Sequence, residues 1–214
     1  GTLFNDITVL LGWNLFARAV YQARDALRKI MDKIIEGQIA IAEACEYEWS
    51  PIFCYGDDLG HKAGLMISPF FLREEWVPRI KRVIAPLKRK GIKVLLHSHG
   101  NVNEFIQDFI DMGFDGLHPI EPTSGMDLGQ VKEKYGDRLV LVGNIDVCYL
   151  LRYGSTVEVS RETKKCIEQA APGSGYCLST SGQLSGATTE NVITMSKTLI
   201  RYGTYPKLEN LKVT

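Results

Sequence analysis

Five short apolar runs, each ending in polar residues and each followed by a stretch of helical period, constrain the fold of this chain more than any other feature. They are Ile52-Phe-Cys-Tyr-Gly-Asp-Asp58, Lys93-Val-Leu-Leu-His-Ser-His-Gly-Asn101, Gly116-Leu-His-Pro-Ile-Glu121, Leu139-Val-Leu-Val-Gly-Asn-Ile-Asp146 and Tyr176-Cys-Leu-Ser-Thr-Ser181. The intervening segments read as helices over 69–90, 102–112, 127–135, 155–170 and 189–201, and Gly91 and Gly113 supply the residue that commonly ends a helix. Before the first strand, Trp13 to Trp49 contains no proline and carries Leu27, Ile30, Met31, Ile34, Ile35 and Ile39 at helical spacing. A break is expected near Arg24-Asp25, with Asp25 as a cap, and Ser50-Pro51 ends the helical region. Strands alternating with helices imply parallel pairing through right-handed crossovers. The module suits a (β/α)8 barrel, which typically takes about 250 residues. With five strands in 214 residues, the chain reads either as an open, doubly wound sheet or as a barrel lacking its first strands. A single domain over 1–214 is expected in either case.

Composition narrows the function classes. Lysine plus arginine and aspartate plus glutamate number 25 each, so no broad field draws the chain to nucleic acid or to an anionic membrane. No apolar segment approaches the roughly 20 residues of a membrane span, and the N-terminus lacks a signal-peptide layout. The basic stretch from Arg79 to Lys93 reads as a solvated helix face. Cys45, Cys54, Cys148, Cys166 and Cys177 show no paired spacing and read as reduced, buried thiols of a cytoplasmic protein. No G-x-G-x-x-G follows a strand and no Walker-type loop is present, which leaves a dinucleotide or nucleotide-hydrolysing reading without support.

The strand ends carry the chemistry, because ligands of parallel α/β folds bind at the carboxyl ends of strands. His97 and His99, two residues apart at a strand end, point to one side. They suit a metal or substrate site, and one of them equally suits a hydrogen-bonded core or rim position. Asp57 and Asp58 face opposite ways, so one addresses the centre and the other caps the following loop or pairs with a lysine such as Lys62. Val140, Val142, Asn144 and Asp146 are expected to share a face. Glu121, between two prolines, holds a fixed strand-end position. The candidate site residues are Asp57, Asp58, His97 and Asp146 for catalysis; Tyr55, Asn101, Glu121, Asn144 and Ser179 for substrate; and His97 and His99, completed by an acidic residue or Cys177, for a divalent metal. Zinc suits such a donor set.

The run Tyr55-Gly-Asp-Asp-Leu-Gly60 with Gly64-Leu-Met-Ile-Ser-Pro69, the His97-Ser-His-Gly-Asn101 motif, Asp115-Gly-Leu-His-Pro-Ile-Glu-Pro122 and Val142-Gly-Asn-Ile-Asp146 resemble the uroporphyrinogen decarboxylase superfamily, which includes cobalamin-dependent methyltransferases. The resemblance implies a (β/α)8 barrel, with the first strands lacking from this chain. At the histidine strand the zinc methyltransferases carry His-x-Cys-Gly; His97 matches the first ligand, and His99 stands in place of the thiolate. Their late cysteine falls near Gly182 here, with Cys177 several residues earlier. The decarboxylase's late histidine also has no counterpart near Ser181-Gly182, and its arginine-rich N-terminal segment has none at all. The resemblance therefore implies first a methyltransferase that moves a methyl group between a small molecule and a corrinoid held by a partner protein. A decarboxylase-like lyase acting on a tetrapyrrole carboxylate is the alternative, and a truncated, non-catalytic binding homologue the third. Open strand edges at 52–55 and 176–179 favour a homo-oligomer.

Overall fold

The computed structural model describes residues 2–204. They group into two compact units, 2–115 and 116–204.

The first unit opens with helices α1 (Leu3–Gln22) and α2 (Arg24–Ala44). The break falls at Ala23, and Asp25 does not cap α2: the cap position is Ala23, with no side-chain bond. Inside α1, Gly12 takes φ 69° and kinks the helix, a conformation that glycine reaches without steric cost. Phe4, Trp13 and Phe16 form edge-on ring contacts, and Phe16 meets Phe71 in the same way. In α2, Leu27, Met31, Ile35, Gln38 and Ala42 form the buried stripe.

Strand β1 (Ile52–Gly56) follows, then a hairpin of β2 (Gly60–His61) and β3 (Gly64–Leu65). The chain continues through α3 (Pro69–Phe71), a π turn (Leu72–Trp76) and α4 (Val77–Arg89) to strand β4 (Lys93–His97). A 3-10 turn (Asn103–Phe105) and α5 (Ile106–Met112) complete the unit, and Gly113 ends α5 at φ 102°. Strand β1 pairs parallel with β4, from Ile52 beside Lys93 to Gly56 beside His97. Ser68 accepts the Phe70 N–H at 3.2 Å and caps α3, as Ser68-Pro69 suggests.

The π turn brings Glu75 and Trp76 inward. Glu75, 3% exposed at its side chain, is held by Arg24 (2.9 Å), Arg28 (2.8 Å) and Arg79 (2.9 Å). Burial pushes its carboxyl up, but the hydrogen bonds from Arg28, Arg79 and Arg24 outweigh this and hold it below the usual glutamate range. Arg79, expected on a solvated face, is therefore buried: it bridges Glu75 and Asp32. A charge can be buried there because its partners are fixed on the neighbouring helices.

The second unit holds parallel strands β5 (Gly116–His118), β6 (Val140–Ile145) and β7 (Tyr176–Thr180), with β6 between the other two. Its helices are α6 (Leu128–Tyr135), α7 (Leu150–Tyr153), α8 (Thr156–Ala170) and α9 (Thr189–Tyr202). Asp127 caps α6, Thr188 caps α9, and Ser155 with Glu158 forms a reciprocal capping box on α8, each cap contributing about 1 kcal/mol. All five expected strands are present and run parallel within their units; the β2–β3 hairpin and the π turn are additions. All five cysteines are free, but only Cys166 is buried, and Cys54, Cys148 and Cys177 are exposed. Among the described residues no helix is long and apolar enough to cross a membrane.

Candidate functional site

The carboxyl end of β1 sends two adjacent aspartates to opposite sides. Asp57 is fully buried. Its carboxylate accepts Thr2 Oγ1 (3.0 Å), the Phe4 N–H (3.0 Å), the Asn5 N–H (2.9 Å) and Trp76 Nε1 (2.7 Å). Burial pushes this carboxyl up to about 6, against those hydrogen bonds. Asp57 thus caps the preceding helix α1, where the orphan N–H groups of a first turn need an acceptor, rather than the following loop or Lys62. This placement gives it no share in an open site.

Asp58 faces the other way. Its Oδ1 accepts the His99 N–H at 2.9 Å and lies 4.0 Å from His97 Nε2. The two imidazoles stand edge to face, their centroids 4.7 Å apart. Donor atoms of Asp58, His97 and His99 all lie within 4.8 Å of one another, and the three residues are partly exposed. Two imidazoles and a carboxylate make up a donor set that zinc accepts, leaving a fourth position for water or substrate. Tetrahedral zinc at about 2.1 Å sets its ligands about 3.4 Å apart, so the set fits the ion after a small inward rotation of side chains.

Backbone contact holds this cluster. Asn101 N donates to His61 O at 2.9 Å, which ties the β2–β3 hairpin to the histidine loop, and Ser98 Oγ accepts the Leu59 N–H at 3.0 Å. Gly60 and Gly100 touch so closely that a Cβ on Gly100, at φ +82°, would lie 2.0 Å from the Gly60 carbonyl carbon.

The remaining sequence candidates fall elsewhere. Tyr55 is buried in the first unit, its hydroxyl accepting the Leu3 N–H and donating to Gln38; it is a core residue. Asn101, beside the cluster in sequence, accepts the Asn103 N–H. In the second unit, Asp146 accepts the N–H groups of Cys148, Tyr149 and Leu150 and so caps α7. Asn144 is buried, donating to Ile120 O and accepting from Cys166 Sγ. The expected common face of Val140, Val142, Asn144 and Asp146 does not form, because strand alternation breaks at Gly143, φ +143°, where a Cβ would meet Pro119 O at 2.0 Å. Glu121 accepts Thr123 Oγ1, Ser179 is half-buried, and Cys177 is exposed on β7. A cleft of about 470 Å³ in this unit includes Asp127, Asn144, Asp146, Glu162, Lys165 and Cys166 in its lining. Its carboxylates are engaged in caps and in the Glu162–Lys165 pair, whereas Asp58, His97 and His99 bring their donor atoms together as a group that could hold a metal ion. Sequence reasoning did not single out Asn5, which contacts both aspartates.

A family model described as uroporphyrinogen decarboxylase (URO-D) matches residues 7–202. The methylcobamide:CoM methyltransferase MtaA of Methanosarcina barkeri is 28% identical over 178 residues, 81% of this chain and 50% of that protein. The uroporphyrinogen decarboxylase of Alkalilimnicola ehrlichii is 26% identical over 165 residues, 73% of this chain and 41% of that protein. The chain thus spans about half the length of these relatives or less. A solved methyltransferase from Methanosarcina mazei superposes with a TM-score of 0.76 at 22% identity, covering 95% of this chain and 57% of that one. This likeness establishes the α/β-barrel type of fold with five of its parallel strands. By the match over 7–202, the chain belongs to the uroporphyrinogen decarboxylase (URO-D) family.

Proposed function

We propose that this chain carries the metal-binding part of a methyltransferase of the URO-D family. The observation that supports the reading is the convergence of Asp58, His97 and His99 within 4.8 Å. These residues would hold a divalent ion, zinc by donor type. When bound, the ion would act as a Lewis acid on a thiol or ether of a small substrate. The chain's own part is positional: β1 and β4 fix the three side chains at adjoining strand ends, and the Asp58 carboxylate holds the histidine loop through the His99 N–H. The methyl group would pass to or from a corrinoid carried by a partner protein, in keeping with the name of the MtaA relative.

A decarboxylase-like lyase is the second reading, favoured by the likeness to the A. ehrlichii decarboxylase. Because Asp57 is buried under α1, Asp58 would be the carboxylate that faces a cationic pyrrole.

Metal content separates the two. Protein prepared without a histidine tag and dialysed against micromolar zinc should carry about one equivalent by mass spectrometry, and His97→Ala/His99→Ala should carry none with an unchanged circular dichroism spectrum. A metal-free wild type, or a double variant with equal zinc, sinks the methyltransferase reading.

A further inference from the structure

Asn5 touches three consecutive residues at the end of β1. Its backbone N–H goes to Asp57 Oδ1 at 2.9 Å, its Oδ1 accepts the Asp58 N–H at 3.3 Å, and its Nδ2 donates to Gly56 O at 3.4 Å. One side chain of the first turn of α1 thereby holds the peptide groups on both sides of Asp57. We infer that Asn5 is a positioning residue for Asp58: it fixes the direction in which that carboxylate leaves the strand, toward His97 and His99.

The geometry separates this role from general support of the fold. The α1 end is attached to β1 by the Phe4 and Asn5 N–H groups on the Asp57 carboxylate and by the Thr2 hydroxyl, which lies within reach of both Asp57 Oδ1 and Gly56 O, all of which survive loss of the Asn5 side chain. The two side-chain bonds of Asn5 are long and individually modest. Their removal leaves the helix docked but frees the Asp58 peptide. Since Asp58 Oδ1 in turn accepts the His99 N–H, a displaced Asp58 also releases an amide that Asn5 itself does not hold. Partners that orient ligand side chains commonly matter about 10- to 100-fold to metal affinity. That consequence rests on the metal-site reading above; the positioning itself does not.

The test is Asn5→Ala, read by amide hydrogen exchange in metal-free protein and by titration with cobalt(II) as the metal probe. The Asp58 and His99 amides should exchange about tenfold faster or more, with Val94 and Leu96 of β4 unchanged. Cobalt should bind about 10- to 100-fold more weakly with an altered visible spectrum. An unchanged His99 amide overturns the inference, whatever the Asp58 amide does. So does uniform acceleration across β1 and β4, which would mark Asn5 as a fold contact only. If the wild type takes up no cobalt, the metal reading fails, and the His99 amide still decides the role of Asn5.

Discussion

Asp58 holds His99 by its backbone, at 2.9 Å from Oδ1 to the N–H. The carboxylate thus has two separable tasks: it fixes the loop after β4, and it offers charge to whatever the imidazoles grip. Asp58→Asn keeps an oxygen for the N–H but removes the charge, whereas Asp58→Ala removes both. The asparagine variant should weaken zinc binding at least about tenfold with normal exchange at the His99 amide. The alanine variant should show both defects by calorimetry and exchange. Equal zinc affinity in wild type and Asp58→Asn would exclude the carboxylate from the site.

Asp57 governs stability. Replacing it with alanine strands two backbone N–H groups and the Trp76 indole N–H in the core, at about 1–3 kcal/mol each; a loss of at least about 3 kcal/mol is expected in urea. Its pH dependence has a definite sign. The folded value of about 6 lies above the ordinary 3.8, so the folded state binds the extra proton between them. The contribution of this group is therefore full below about pH 4 and declines as pH rises through 6, by on the order of 3 kcal/mol. Asp57→Asn should remove that decline, and parallel stability curves for both proteins between pH 4 and 6 would refute it.

Glu75→Gln leaves Arg24, Arg28 and Arg79 facing a neutral amide. Breaking a buried pair costs about 3–5 kcal/mol. The low end is expected, because Arg24 and Arg28 are 31% and 45% exposed and can turn to water. Since the Glu75 pKa is lowered on folding, its contribution is present above the usual glutamate range and lost as pH falls through the folded value. Glu74→Gln, on the exposed neighbour of Arg24, should change stability by less than about 1 kcal/mol. Similar denaturation midpoints for the two variants would contradict this account.

Gly100→Ala should be costly for its size. The added Cβ meets backbone and not a flexible side-chain end, and φ +82° is unfavourable for alanine. A loss of about 2–4 kcal/mol is expected by thermal unfolding, with resonance shifts at His61 and Asn101, whose backbone bond joins hairpin to loop. Gly37→Ala, in an open helical position, should stabilise slightly instead.

The order of strands and helices could be read in the sequence because glycine and proline mark the ends of nearly every element. So could the opposition of Asp57 and Asp58, which comes from strand alternation. Which aspartate faces the histidines could not be read, because the deciding partners, Phe4, Asn5 and Trp76, lie 19 to 53 positions away in sequence. Asp146 had a local signal that was missed: an aspartate just before a helical turn is a cap as readily as a catalyst. The face of Asn144 was misread because alternation assumes ordinary backbone angles, and Gly143 departs from them. The hairpin strands of two residues each were too short to leave a pattern.

The π turn over Leu72–Trp76 gives this region an unusual sensitivity to chain length. A π turn amounts to one residue more than an α-helical turn would use. A single-residue deletion there would remove that extra residue, turning the residues before the deletion by about 100° relative to those after it. Glu75 could then no longer face its arginines while Trp76 reaches Asp57. Substitutions in this segment act on one partner at a time; a deletion would uncouple both at once, and with them the seat of α1 behind the candidate site.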